Sequence, residues 1–184
     1  LVSLGHGCIA HLAAPLGYNF ARLRREGFLR GAAEARLAPE DCPVLECGFD
    51  PEDAARAMGE LLAGPRPPTA VFCALDGLAF GALAAIRQAG LAVGRDVSVI
   101  GFDNHSTGGI IEPGLTTFDP GGAAAGDAVA DVLVRHLGGA PAGELSVLLP
   151  ATLVRRASDG PPAAMPEELR RRLDGAPARP LHRA

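Results

Sequence analysis

Apolar positions along this chain fall into short β-branched runs separated by longer periodic stretches. Thr69–Cys73 and Val97–Phe102 are two such runs, and one long Ala/Leu-rich segment lies between them. Asp76 stands just before that segment and Gly90 just after it, which are good start and stop residues for a helix. The unit predicts strand–helix–strand, and strands alternating with helices predict a parallel sheet. The alternation extends upstream. Leu1–Leu4 reads as a strand running into a loop through Pro15, Gly17 and Asn19. Phe20–Ala35 reads as a helix with Phe20, Leu23, Phe28, Leu29 and Ala32 as its apolar positions. Val44–Cys47 is a short strand after the Pro39 and Pro43 turn. Pro51 behind an Asp50 cap opens a helix over Glu52–Leu62 that buries Ala54, Ala55, Met58, Leu61 and Leu62.

Downstream, Asn104–Gly114 is a polar, Gly-containing loop, and Leu115–Phe118 is short and extended. Pro120–Leu137 reads as a helix with Ala125, Val129, Val132 and Leu133, closed by Gly138 and Gly139. Leu145–Leu149 and Thr152–Val154 predict a final strand pair around Pro150. Beyond Ser158 the chain is rich in Pro, Ala and Arg. Residues 1–157 therefore read as one domain and residues 158–184 as a flexible tail, with at most an isolated helical turn or two over Met165–Leu173.

Composition narrows the function classes. The chain has 184 residues, 48% of them hydrophobic, with seven Phe, one Tyr and no Trp, so its core is built from Ala, Val and Leu. The net charge of −4 is uneven. Residues 1–154 carry 10 Arg against 17 acids, and residues 155–184 carry 7 Arg against 4 acids. An acidic body offers no electrostatic footprint for nucleic acid, and the basic end reads as solvated. No apolar run reaches the roughly 18 residues of a membrane span. The opening LVSLGHGC has neither a basic n-region nor a long enough apolar run for a signal peptide. It lacks an initiating Met and begins inside a strand-like run, as though a segment upstream had been removed. Cys8, Cys42, Cys47 and Cys73 form no CxxC pair and read as reduced thiols of a cytoplasmic protein. His6, Cys8 and His11 are close enough to suggest a metal, but without a fourth ligand an ordinary loop is the better reading.

Candidate chemistry gathers at the strand ends. Asp76 follows one strand and Asp103 the next, and in open α/β sheets the ligand crevice lies beyond the carboxyl ends of the strands. No G-x-G-x-x-G, Walker-type loop or G-x-S-x-G is present, which argues against an enzyme.

Several stretches taken in order resemble one family. AVFCALDGLAFGALAAIRQAGLAVGRDVSVIGFDN, then PGLTTF, then LLPATLVRR, with ARLRREGF upstream, are similar to the effector-binding domain of LacI/GalR-type transcription regulators. The resemblance covers nearly all of residues 1–157. It implies a periplasmic-binding-protein-like fold of type I, a parallel sheet flanked by helices, here mostly the C-terminal lobe with part of the N-terminal lobe. The part of the N-terminal lobe that is present is expected to leave apolar surface exposed, including the segment around residues 118–140. It implies a small polyhydroxylated, sugar-like effector between two lobes, a homodimer and no cofactor. Operator DNA would be bound only through a helix-turn-helix absent from this chain. A solute-binding protein of an ABC-type sugar transporter shares the fold and is the alternative.

The resemblance also assigns residues. Arg24 occupies the arginine of R-x-x-G-F and Asp103 the aspartate of G-F-D, the positions that grip the ligand. On local sequence alone they read as a surface helix arginine and as a loop or cap aspartate. Phe49 falls where the family sets an aromatic against the ligand, although packing at a strand end suits it nearly as well. Asp76 is expected to cap its helix. Leu75 stands where the family commonly has Asn, and Asp119–Pro120 where a Gln often follows, departures that argue against a standard hexose, and Leu75 beside Phe49 suggests a flatter or more apolar ligand. Phe80, Ala84 and Ile111 map to the dimer faces, with a core role for Phe80 equally open.

Overall fold

The computed structural model describes residues 1–175, and strands and helices alternate through that span. Six strands form one sheet: β1 (Ile9–Ala13), β2 (Val44–Glu46), β3 (Ala70–Cys73), β4 (Ser98–Phe102), β5 (Thr116–Asp119) and β6 (Thr152–Val154). Their spatial order is β2-β1-β3-β4-β5-β6. The first five run parallel, and β6 is antiparallel to β5. The helices are α1 (Asn19–Glu34), α2 (Pro51–Ala63), α3 (Asp76–Gln88), the short α4 (Thr107–Ile110), α5 (Gly122–Leu137) and α6 (Pro166–Gly175). This is the helix-flanked parallel sheet that the alternation of runs predicts.

Alternation along the strands sorts the side chains onto two faces. Ala10, Leu12, Val71, Cys73 and Val99 join Met58 and Leu62 of α2 and Leu78, Leu83 and Ile86 of α3 in the apolar core. Helices α2 and α3 lie close because position 81 is glycine: a Cβ there would collide with the Pro51 carbonyl. On the opposite face, His11 stacks between Phe28 of α1 and Phe72 of β3, each ring 5.1 Å away. Strand β1 is buried at every position, since it has a strand on either side and helices over both faces.

Three expectations are corrected. Leu1–Leu4 is not a strand; Val2–Leu4 is a single 3-10 turn, and the chain reverses at Gly5 with φ 97°. The strand lies later, in a run whose polar His11 disguises it. Leu145–Leu149 forms no strand. With no neighbouring strand beside them residues 146–149 stay exposed, Leu148 by 97%. Residues 158–175 of the expected flexible tail are packed. The buried Ser158 hydroxyl donates to the Val99 carbonyl at 2.6 Å and accepts the Thr116 N–H at 2.8 Å. Leu169 of α6 is 0% exposed and belongs to the core, with Leu173 one turn later packed against it. Arg170 donates to the carbonyls of Ala63 (2.7 Å) and Gly64 (3.1 Å), which the end of α2 would otherwise leave open. Residues 176–184 of that expected tail lie outside the described residues.

Helix α5 has no buried residue, and Val129, Leu133, Val134 and Leu137 are exposed along it. Among the described residues nothing covers this apolar face. No described helix is long and apolar enough to cross a membrane.

Replacing Leu169 with Ala is expected to destabilise the fold by about 2–4 kcal/mol, the usual cost of emptying a sealed leucine site. Urea unfolding followed by circular dichroism measures it, and an unchanged midpoint would mean that α6 contributes nothing to the core.

Candidate functional site

All the connections that leave the parallel strands forward open at one edge of the sheet. Tyr18 and Phe20 follow β1, Phe49 follows β2, Leu75 follows β3, and Asp103 and Asn104 follow β4. Arg24 reaches this edge from α1. Its Nη1 donates to the Ala74 carbonyl at 2.6 Å, and its Nη2 stands 3.8 Å from Asp103 Oδ1. The guanidinium lies 3.6 Å from the Phe102 ring centroid and 5.0 Å from that of Phe20, so aromatic faces orient it. Burial lowers the Arg24 pKa against the pull of Asp103. Burial likewise raises the Asp103 carboxyl, and outweighs the opposing effect of Arg24. Two partly desolvated opposite charges, too far apart to satisfy one another, can both take a hydroxyl group. It would donate to the carboxylate and accept from the guanidinium.

The Asp103 turn is held under strain. Asp103 has φ 119° and Asn104 φ 51°, a pair of non-glycine residues in the left-handed half of backbone space. Surrounding bonds impose this. Asp103 N–H donates to the Phe118 carbonyl at 2.8 Å. Asn104 Nδ2 donates to Asp119 at 2.9 Å, and Arg156 Nη2 donates to Asn104 Oδ1 at 2.7 Å. Asp119 also accepts the Gly121 N–H at 2.7 Å, and that bond and Asn104 hold its carboxyl below the usual range.

Asp76 differs from its expected role. Leu75, not Asp76, occupies the cap position of α3, and no side chain caps that helix. The Asp76 carboxylate is 1% exposed and turns to the neighbouring loops, accepting the His105 N–H at 2.7 Å and the Thr117 hydroxyl at 2.6 Å. Glycine at position 101 makes room for it, since a Cβ there would strike the carboxylate.

The residues singled out in the sequence divide as follows. Arg24, Leu75 and Asp103 share the edge, Leu75 half-buried beside the Ala74 carbonyl that anchors Arg24. Phe49 joins them through Tyr18, whose ring is 5.2 Å away and edge-on. Phe80 is half-buried against the core with its ring 6.1 Å from that of His105. Ala84 is exposed, Ile111 is packed against the core, and Ile110 beside it is the exposed residue of that loop. His6, Cys8 and His11 do not converge. His6 bonds Thr69 Oγ1 at 2.9 Å and the Gly160 carbonyl at 2.8 Å. His11 donates from Nδ1 to the Phe72 carbonyl, and burial pushes its pKa down to about 4. No group of three potential metal ligands occurs among the described residues, and all four cysteines are buried free thiols. Tyr18, Phe20, Phe102, Asn104 and Arg156 were given no site role from the sequence, Phe20 being read only as an apolar helix position, and Asp119 was noted only as a departure from the family pattern. The signal available for the first two was their position immediately after an unrecognised strand.

Residues 1–158 match the family described as periplasmic binding protein-like domain. The chain belongs to that family. Within it the effector-binding domain is of LacI/GalR type. The chain is 34% identical over 163 residues to the HTH-type transcriptional repressor PurR of Escherichia coli O139:H28 (strain E24377A / ETEC), covering 88% of this chain and 48% of that protein. It therefore spans about half the length of the curated relatives it matches. A dimeric lac repressor with an 11-residue C-terminal deletion superposes with a TM-score of 0.78 at 33% identity, over 88% of this chain and 58% of the repressor chain. A LacI family regulator from Enterococcus faecium, solved with bound ribose, superposes with a TM-score of 0.74 at 28% identity, over 88% and 59% of the two chains.

Asp103→Gly is expected to raise stability at neutral pH by about 1 kcal/mol, because glycine adopts φ 119° without strain. The Asp103 carboxyl has a raised pKa, so ionising it opposes folding, and that opposition disappears as pH falls through the pKa. The advantage of the variant therefore shrinks in acid. Thermal unfolding of both proteins across the acidic range checks it, and a variant less stable at neutral pH would refute the strain.

Proposed function

We propose that this chain is the ligand-sensing part of a cytoplasmic transcription regulator that binds a small polyhydroxylated effector at the carboxyl edge of its sheet. The observation that carries the reading is the Arg24–Asp103 pair, separated by 3.8 Å, partly desolvated and with Asp103 on a strained turn. The similarity to repressors and to a regulator solved with ribose supports it. The exposed apolar face of α5 packs on a second lobe, so the effector lies between two lobes and shifts the balance of open and closed states. Subunits pair through the surface around Phe80, Ala84 and Ile111. Operator DNA is the target of a helix-turn-helix outside this acidic chain, which acts as a sensor and not as an enzyme. No observation on this molecule favours the transporter alternative.

Calorimetry with pentoses and hexoses tests the ligand class. A sugar that binds should lose at least about a hundredfold in affinity to Asp103→Ala, given about 3 kcal/mol for removing a charged partner of buried hydroxyls. The circular dichroism spectrum should stay native, and unchanged affinity would displace the site. The 184-residue chain should also leave labelled operator DNA unshifted at low salt. A specific shift would place a DNA-binding surface on this chain.

A further inference from the structure

The amino edge of the sheet, opposite the edge that carries Asp103, holds a cavity of about 230 Å³. Its floor comes from the turns that lead into three strands: Gly7 and Cys8 before β1, Asp41 before β2, and Arg66 and Thr69 before β3. Its far wall is the strap from Pro162 to Pro166 that leads into α6. The matched family span ends at residue 158, so this wall lies beyond it. The strap is fixed in place. The Gly160 carbonyl accepts from the Ser98 hydroxyl at 2.9 Å and lies 2.8 Å from His6 Nε2, and the Ala163 N–H donates to the Arg95 carbonyl at 3.2 Å. Ala164 and Cys8 are buried, while Met165 is exposed at the mouth.

Few polar side chains face this space. Thr69 Oγ1 is already engaged, 3.2 Å from the Cys8 carbonyl and 2.9 Å from His6 Nδ1. Cys8 is a neutral thiol, because burial pushes its pKa up to about 11. Asp41 and Arg66 remain. Arg66 Nη2 stands 2.6 Å from Asp41 Oδ1 but outside hydrogen-bonding angles, and among the described residues that buried oxygen has no hydrogen-bond partner. The two charges cancel, and the carboxylate still lacks a donor.

We propose that this cavity is a second binding site, for a small neutral molecule that joins a branched apolar body to an N–H or O–H donor, as a short-chain amide or alcohol does. It is independent of the effector site at Asp103. The volume lies below the range of about 300–1,000 Å³ that encloses drug-sized ligands, which restricts the occupant to a small molecule. Its apolar body lies against Ala164, Met165 and the Cys8 thiol, and its donor supplies the bond that Asp41 lacks. Charge is rejected in both directions. An ammonium meets Arg66 and a carboxylate meets Asp41, whereas a neutral group meets a pair whose charges cancel. An occupant bridges the strand turns to the strap, and so holds α6 where Leu169 and Arg170 dock.

Isovaleramide, isovalerate and isoamylamine share one branched body and differ in charge. Each is titrated into the 184-residue chain and followed by NMR amide shifts. Isovaleramide should move the Gly7, Thr69 and Ala164 signals. It should also bind at least about tenfold more tightly than either charged analogue, the scale of one hydrogen bond to a charged group. Asp41→Asn leaves Arg66 unopposed and should turn the preference to isovalerate. Arg66→Gln leaves Asp41 unopposed and should turn it to isoamylamine. Equal binding of the three probes overturns the site, as does a preference that neither substitution changes. Shifts confined to the Asp103 edge overturn it too. Binding of none of the three means that the cavity holds only water, and overturns it as well. The comparison on the unsubstituted chain decides the matter alone should a variant fail to fold.

Discussion

The buried carboxylate of Asp76 ties this site together. A carboxyl group out of water is costly unless hydrogen bonds replace its hydration. Here the His105 N–H and the Thr117 hydroxyl supply them, so the buried group is accommodated only with the start of α3, the loop after β4 and strand β5 in register. Thr117 then accepts the Asn104 N–H at 3.3 Å, which extends the tie to the turn that carries Asp103. Gly101 permits the approach.

Strain at Asp103 and Asn104 follows from that arrangement. A left-handed pair of non-glycine residues persists only where neighbouring contacts over-determine it. Arg156 holds Asn104 from one side and Leu115 from the other, donating to the Leu115 carbonyl at 2.6 Å. Asp119 receives both Asn104 and the Gly121 N–H at the point where the chain leaves the sheet for α5. The turn that carries Asp103 and the departure into α5 are thus joined by short polar contacts.

Much of the fold was legible in the chain, and the failures share a cause. Strands β3 and β4 and helices α2 and α3 announce themselves because their patterns are local: β-branched runs, Ala/Leu periodicity, Pro51 after Asp50. Strand β1 was missed because His11 interrupts its apolar run, and what encloses that histidine is a sandwich of Phe28 and Phe72, 17 and 61 positions away in the sequence. Helix α6 looked isolated because its partner, α2, lies about a hundred residues earlier, where Arg170 meets the carbonyl of Ala63.

The site divides in the same way. Sequence alone determined that carboxylates follow the strands, because residue type and order are local properties, while the family resemblance made Arg24, Phe49, Leu75 and Asp103 candidates and marked Leu75 as a departure from the family pattern. Only the tertiary structure decided which carboxylate serves the scaffold and which faces solvent. Asp76 and Asp103 follow strands in the same way, but one is enclosed by β5 and the loop after β4, and the other is 41% exposed opposite Arg24. The strand order β2-β1-β3-β4-β5 did the rest, gathering Phe49 and Tyr18 into one cluster and placing them on the same edge as Asp103. Burial and distance between remote segments are properties of the packed sheet, and no window of sequence contains them.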